Sequence, residues 1–189
     1  MYTKKGQDRF VLVLPKLGIA VKFPKIRLLN ALSTIFNRIR SGRLKLLLWT
    51  CSKWAPESQF VISGMLLRGI VANQRERRLW KRTHNPFLQP TFFSLFGLFN
   101  IQQYGKPYLG HNTDLWVQVR KITHEDAYRD AHQFSEPSNY CVVDGKLRIL
   151  DYGGRESTWV VLEYGKKIVN EFDFEYRYIF SPANNIKNS

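Results

Sequence analysis

Asn139 and Asp151 are the residues whose types and spacing most directly suggest chemistry. Asn139 precedes the apolar run 140–143, and Asp151 follows the run 146–150. The Asp-Gly pair between the runs is a strong tight-turn signal, so the sequence predicts a β-hairpin that brings both residues to one edge. Amide and carboxylate oxygens beside a polyphosphate are the ligands that Mg²⁺ favours. The alternative is an asparagine cap and an aspartate turn around an ordinary hairpin.

The segment around this hairpin resembles the loops of the protein-kinase-like superfamily. His132, Pro137 and Asn139 fall on the His, Pro and Asn of the family's catalytic loop, and Asp151-Tyr-Gly is similar to its metal-binding Asp-Phe-Gly. The resemblance implies that Asn139 and Asp151 hold Mg²⁺. A structural, hydrogen-bonding role is the alternative for His132, and the family itself uses this histidine structurally.

A second part of the resemblance lies far upstream. Ile19-Ala-Val-Lys22 is similar to the Val-Ala-Ile-Lys of the third N-lobe strand, which implies that Lys22 contacts the α- and β-phosphates of ATP. Glu76, in a helix predicted over Met65–Arg82, is then its natural partner. Without the resemblance, Lys22 is equally a surface lysine on a strand, and Glu76 a member of a surface ion pair among arginines.

The chain also departs from the family's pattern. Phe134 stands where the family has the aspartate that accepts the substrate's proton, and Glu136 stands where it has a phosphate-contacting lysine. Asp130 lies four residues before the vacant position, and only Gly6 precedes the first predicted strand, where the family uses three glycines. The resemblance therefore implies a pseudokinase with weak or absent phosphotransfer, in which Asp130 and Glu136 are the candidates for a replacement base.

Positive charge is concentrated in the first part of the chain. The formal net charge is +14, and residues 1–105 carry 18 of the 29 basic side chains but only three of the 15 acidic ones. Residues 26–54 have apolar residues at helical spacing among arginines and lysines, and they contain no acid. We expect a basic amphipathic helical insertion over 26–64. It suits core packing with a solvated basic rim, or contact with nucleic acid, an acidic protein or an anionic membrane surface.

The predicted secondary structure runs along the chain as strands, then helices, then strands. A hairpin is predicted over Arg9–Leu14 and Gly18–Phe23, and strands are predicted over 91–103, 115–122, 158–164 and 168–180, with a helix over 123–133. This order predicts an α+β domain. With the resemblance, it implies a kinase-like N-lobe with an antiparallel sheet, the helical insertion and a much reduced C-lobe.

The overall composition limits the classes of protein to consider. The 189 residues fit one domain over 1–189, and 44% hydrophobic residues exclude wholesale disorder. Two cysteines are too few for a disulfide framework. The apolar run after residue 10 is interrupted by Pro15 and Lys16, which disfavours a signal peptide. These features favour a cytoplasmic protein, and the resemblance to protein kinases implies that it binds ATP and Mg²⁺. The alternative is a non-enzymatic binding or structural protein that uses the basic region 1–105.

Overall fold

A five-stranded antiparallel sheet forms the first structural layer. The computed structural model describes residues 1–6 and 8–177. The sheet has the strand order β1-β2-β3-β5-β4. Its strands are β1 (Tyr2–Lys5), β2 (Arg9–Leu14), β3 (Ile19–Pro24), β4 (Thr91–Ser94) and β5 (Asn100–Gln103). The predicted hairpin at 9–23 is confirmed as β2 and β3, and its connection is one short 3₁₀ turn, Pro15–Leu17. The sequence analysis missed β1.

Three helices separate β3 from β4. They are α1 (Leu28–Arg40), α2 (Leu44–Ser52) and α3 (Ile62–Thr83). The helical prediction for the insertion is confirmed over α1 and α2, and residues 62–64 at its end belong to α3. Helix α3 packs against the sheet, and Gly69 permits a close approach there. A Cβ at this position would lie 2.7 Å from both the Asp8 carbonyl oxygen and Pro24 Cβ.

The second half is a smaller sheet surrounded by helices. A three-stranded antiparallel sheet has the order β6-β7-β8. Its strands are β6 (Lys106–Pro107), β7 (Tyr140–Val143) and β8 (Lys146–Ile149), and the helices are α4 (Asn112–Ile122), α5 (Ala131–Ser135) and α6 (Arg155–Glu171). The predicted hairpin at 140–150 is confirmed, since Asp144 and Gly145 have φ of 51° and 69°, as a primed turn requires.

Three strand predictions in this half are wrong. Residues 115–122 lie in α4, and residues 158–164 and 168–171 lie in α6; residues 178–180 are outside the described part of the chain. β-Branched and aromatic residues suggested strands, but the buried side chains follow a helical period. In α6, for example, Val160, Val161, Ile168 and Val169 are buried. The order is therefore not strands, helices, strands. The α+β class with antiparallel sheets is confirmed.

The main hydrophobic core lies in the second half. Its largest fully buried side chains include Phe134, Tyr140, Leu147 and Ile149. The predicted helix at 123–133 is partly present, as a 3₁₀ segment over Asp126–Asp130 that leads into α5. Within the described residues, every helix is too short or too polar to cross a bilayer.

Candidate functional site

A cleft of about 1040 Å³ lies between the five-stranded sheet and the second half of the molecule. The strand alternation explains which side chains enter it. On β2, Arg9, Val11 and Val13 face the cleft, and on β3 so do Ala20 and Lys22. The register places Val11 directly opposite Lys22. The opposite wall is formed by residues that follow α5 and β8, so the cleft gathers side chains from distant parts of the sequence.

Lys22 and Glu76 form a buried ion pair at the inner end of this cleft. Lys22 Nζ lies 3.1 and 3.0 Å from the two carboxylate oxygens of Glu76, and it also donates a hydrogen bond to the Leu150 carbonyl oxygen at 2.6 Å. Lys22 is 4% exposed and Glu76 is fully buried. The surface alternatives for both residues are therefore wrong: the structure pairs them inside the protein, as the sequence analysis predicted.

Arg9 belongs to the same cluster, and the sequence analysis did not single it out. Its guanidinium donates to Glu76 Oε1 at 2.6 Å and forms a second ion pair with Asp151. Arg9 is 7% exposed. A signal was present in the sequence, because Arg9 shares the strand period of Val11 and Val13. A charged residue at an inward-facing position of a strand requires a buried partner.

Burial and neighbouring charges shift the pKa values of Lys22, Arg9 and Asp151. Burial lowers the pKa of Lys22, and the attraction of Glu76 does not fully offset it. For Arg9, burial acts in the same direction, but the attraction of Asp151 and Glu76 raises the pKa above its ordinary value. Burial by itself would raise the pKa of Asp151, because it disfavours the charged form. The positive charges of Arg9 and then Lys22 outweigh this effect and hold the pKa of the carboxyl below its ordinary range. Asp151 is therefore a carboxylate at neutral pH.

Asn139 and Asp151 lie on the same wall of the cleft and are linked through Gln133. The side chain of Asn139 donates to the Gln133 carbonyl oxygen at 3.0 Å, and the Gln133 amide donates to the backbone oxygen of Asp151. Within the part of the chain that the structure describes, Asn139 Oδ1 has no hydrogen-bond partner. The Asp151 side chain is 39% exposed, and its carboxylate forms an ion pair with Arg9 and accepts a backbone hydrogen bond from Gly153. The amide oxygen of Asn139 and the exposed part of the Asp151 carboxylate are thus the atoms that this wall offers to a ligand.

The residues of the predicted catalytic loop lie in different environments. Phe134 is fully buried in the hydrophobic core, and its side chain does not line the cleft. Asp130 does line the cleft, where it accepts a hydrogen bond from Ser157 of α6. Glu136 and His132 are exposed at the cleft wall, and the Glu136 carboxylate accepts from the Ser138 backbone at 3.4 Å. Both candidate bases therefore face the cleft, while Phe134 belongs to the core.

The turn between β1 and β2 closes one side of the cleft. The sequence analysis placed Gly6 before the first strand, but β1 precedes it, so Gly6 lies in a hairpin turn instead. Its amide donates to the Arg9 carbonyl oxygen at 2.9 Å. Asp8, in the same turn, forms ion pairs with Arg27 and Arg68, both at 3.0 Å. These pairs fix the turn to the neighbouring helices.

Comparison with protein-family models, curated proteins and solved structures finds no match for this chain. Across residues 1–6 and 8–177, no group of three or more His, Cys, Asp or Glu side chains is placed to hold a metal ion. The arguments about function therefore depend on the geometry of the cleft.

Proposed function

We propose that the cleft binds ATP together with Mg²⁺, and that phosphotransfer by this protein is weak or absent. In this proposal Lys22, held by Glu76, contacts the nucleotide phosphates, and Asn139 and Asp151 hold the metal ion. The observation that carries it is the buried Lys22–Glu76 pair beside Asp151 at the inner end of a large cleft. In protein kinases the corresponding ion pair and metal-binding aspartate must both be in place.

The volume of the cleft supports a nucleotide ligand. A volume of about 1040 Å³ is at the upper end of small-molecule sites. Seven basic side chains line the cleft, and so do six acidic ones: Asp8, Glu57, Asp130, Glu136, Asp151 and Glu156. The overall charge of the cleft is therefore close to balanced, and the phosphates of a nucleotide would depend on the specific contact with Lys22 and on Mg²⁺.

The residues present fit Mg²⁺ as well as the nucleotide. The free oxygen of Asn139 and the partly exposed carboxylate of Asp151 are hard oxygen donors on one wall, and Mg²⁺ commonly takes one or two protein ligands plus phosphate and water. When bound, the ion would neutralise phosphate charge. Arg9 also acts on the Asp151 carboxylate, because its guanidinium forms an ion pair with one of the two carboxylate oxygens.

The buried position of Phe134 supports weak or absent phosphotransfer. A phenyl ring in the core can neither accept the proton of an attacking hydroxyl nor orient it. Asp130 and Glu136 face the cleft, and we retain both as candidates for a replacement base. Asp130 is already held by Ser157. Glu136 is exposed, and its carboxylate is held by one long hydrogen bond, 3.4 Å from the Ser138 backbone nitrogen.

Titration calorimetry with ATP and with adenosine, both in Mg²⁺, tests the proposal. Lys22→Met keeps the length and burial of the side chain but removes its charge. Because charge-assisted hydrogen bonds contribute about 1.5–3 kcal/mol, we expect the variant to bind ATP at least about tenfold more weakly. Adenosine carries no phosphate, so its affinity should stay unchanged.

Lys121→Met is the matched control, because Lys121 is exposed on α4 and lies outside the cleft. It should bind both ligands as the wild type does. Equal ATP affinity in Lys22→Met and the wild type, with both proteins folded, would remove Lys22 from the nucleotide site. Absence of ATP binding in the wild type would overturn the proposal itself.

A further inference from the structure

Helices α1 and α2 and the residues directly after α2 expose an unusual number of large apolar side chains. Ten of them, between 40% and 80% exposed, form what we call the insertion face: Leu28, Leu29, Leu32, Phe36, Ile39, Leu44, Leu46, Leu48, Trp49 and Trp54. Scattered single apolar residues are normal at a protein surface, but a concentration within 27 consecutive residues indicates an interaction site.

The attachment of α1 to the rest of the protein leaves this surface free. Ala31 is buried, and Thr34 contacts Met65 of α3, with 3.9 Å between Oγ1 and Sδ. The exposed residues at 29, 32, 36 and 39 follow a helical period and form one stripe beside this buried side. The fold thus uses one side of α1 for packing and leaves an apolar stripe in water.

The insertion face is accompanied by positive charge without any acid. Residues 26–54 contain six basic side chains and no Asp or Glu. Arg38 donates to the Leu46 carbonyl oxygen at 2.9 Å, and Lys53 stacks on the Trp49 ring at 4.8 Å. Arg40, Arg43 and Lys45 are exposed and form no salt bridge with any described residue.

We propose that the insertion face docks this protein onto an anionic lipid surface. At the boundary between headgroups and acyl chains, leucine, phenylalanine and tryptophan leave water while arginine and lysine meet the anionic headgroups. The boundary therefore satisfies both properties of the insertion face. The chemistry recognised is a negatively charged bilayer, and the cleft described above is not required for it.

Two other partners, a second copy of the chain and a nucleic acid, would each match only one property of the insertion face, either its apolar surface or its positive charge. Two copies of this surface would bury the apolar side chains but bring together two basic, acid-free faces, which repel each other. A nucleic acid would neutralise the charge and stack on the tryptophans, but it would leave the aliphatic stripe of α1 in water.

Vesicle sedimentation with the full chain tests this proposal. Vesicles of phosphatidylcholine with about a third phosphatidylserine are compared with pure phosphatidylcholine. Each basic residue near an anionic surface contributes about fivefold to binding, so Arg40→Gln/Arg43→Gln/Lys45→Gln should weaken it about 100-fold. Leu29→Ser/Phe36→Ser/Leu48→Ser, which removes apolar side chains alone, should weaken it at least about tenfold.

Two triple variants on other exposed surfaces are the matched controls. Lys121→Gln/Lys146→Gln/Lys166→Gln removes the same charge, and Leu17→Ser/Leu109→Ser/Leu162→Ser removes the same kind of side chain. Both should bind anionic vesicles as the wild type does. All four variants change exposed residues, so unchanged thermal unfolding verifies that a loss of binding is a loss of contact.

Each alternative gives a different result and overturns the proposal. Binding that falls only in the glutamine variant of 40, 43 and 45, and is equally strong to a short duplex DNA or RNA, indicates a nucleic-acid surface. Sedimentation of the wild type as a dimer that the apolar variant converts to monomer, without vesicle binding, indicates self-association. No binding to anionic vesicles at low salt also contradicts the proposal.

Discussion

The two halves of this molecule bury opposite kinds of side chain. Before residue 106, the described structure buries ten polar or charged residues, against four after it. The main hydrophobic core is distributed the other way, since 14 of its 17 buried members follow residue 105. The first half contains three of the four members of the charged cluster, and the second half contains Asp151 and most of the hydrophobic core.

This contrast indicates that apolar packing in the second half stabilises the fold, whereas the buried charges of the first half serve a specialised site. Buried charges cost free energy unless they are paired, so a cluster of Arg9, Lys22, Glu76 and Asp151 weakens the fold or leaves it unchanged, compared with apolar packing. Perturbed titratable groups that meet in a cleft are more typical of a functional site. Substitutions in the two halves should therefore change stability and reactivity by different amounts.

The largest effect is expected for Phe134→Asp, which places an aspartate where the resemblance to protein kinases would put the catalytic base. Loss of a buried phenyl ring costs about 3–5 kcal/mol, and an unpaired carboxylate in the core adds to that cost. We therefore expect the variant to lose its cooperative thermal transition in circular dichroism. Phe36→Asp, at a 63% exposed position of α1, is the control and should stay folded. A folded Phe134→Asp protein that transfers phosphate would contradict the structure.

Glu76→Ala is expected to have the next largest effect. It leaves Lys22 and Arg9 buried without their shared carboxylate, and breaking a buried ion pair costs about 3–5 kcal/mol. Urea denaturation measures this loss. Glu57→Ala breaks a more exposed pair, with Arg75, and should cost at most about 1 kcal/mol. Equal losses for the two variants would show that the charged cluster is not buried.

Acid should selectively weaken the charged cluster. Because the pKa of Asp151 lies below its ordinary value, its ionised form stabilises the fold above the unfolded-state pKa of about 3.9. That contribution is lost as the pH falls through the lower folded-state pKa. The stability difference between the wild type and Asp151→Asn should therefore narrow between pH 6 and pH 2 in urea denaturation.

Asp144→Asn, in the exposed turn between β7 and β8, provides the comparison for this acid effect. Asp144 forms no salt bridge with any described residue, so a pH dependence that both variants share is not due to the Arg9–Asp151 pair. A difference for Asp151→Asn that stays constant down to pH 2 would be inconsistent with an ion pair between Arg9 and Asp151.

The smallest expected effect is a difference in thiol reactivity between the halves. Cys51 is exposed on α2, whereas burial raises the pKa of Cys141 to about 12. The thiolate is the reactive form, so one equivalent of iodoacetamide should react with the native protein and two after unfolding. Rapid native labelling of both thiols would show that the second half is more open than the structure indicates.

Short-range patterns made much of the first half predictable, and one element of the second half. The hairpin of β2 and β3 and the helices α1 and α3 each have a local signal in residue type and period, and so does the β7–β8 turn of the second half. The helices α4 and α6 were not predicted, because valine and tyrosine suggested strands while the buried positions are spaced for helices. Tertiary packing selected the helical form there.

The candidate site was predictable only in part. Asn139 and Asp151 could be selected from the hairpin between them, and Lys22 and Glu76 from the resemblance to protein-kinase motifs. Lys22, Asn139 and Asp151 line one cleft, and Glu76 is buried against Lys22. The strand period indicated that Arg9 faces inward, but it could not identify the partners of Arg9, which lie 67 and 142 residues away along the chain. No local pattern encodes such a contact, which arises when the β1–β2 hairpin closes over the residues that follow β8.

The most direct test of the account is thermal unfolding with ATP, with and without Mg²⁺, in the wild type and in Asp151→Asn. A ligand at about 100 times its Kd adds about 2.7 kcal/mol to the stability of the folded state. We predict an upward shift of Tm with Mg²⁺ and ATP together, which is reduced by EDTA and lost in the variant. No shift in the wild type, or an equal shift in EDTA and in Asp151→Asn, would contradict a magnesium–nucleotide site in this cleft.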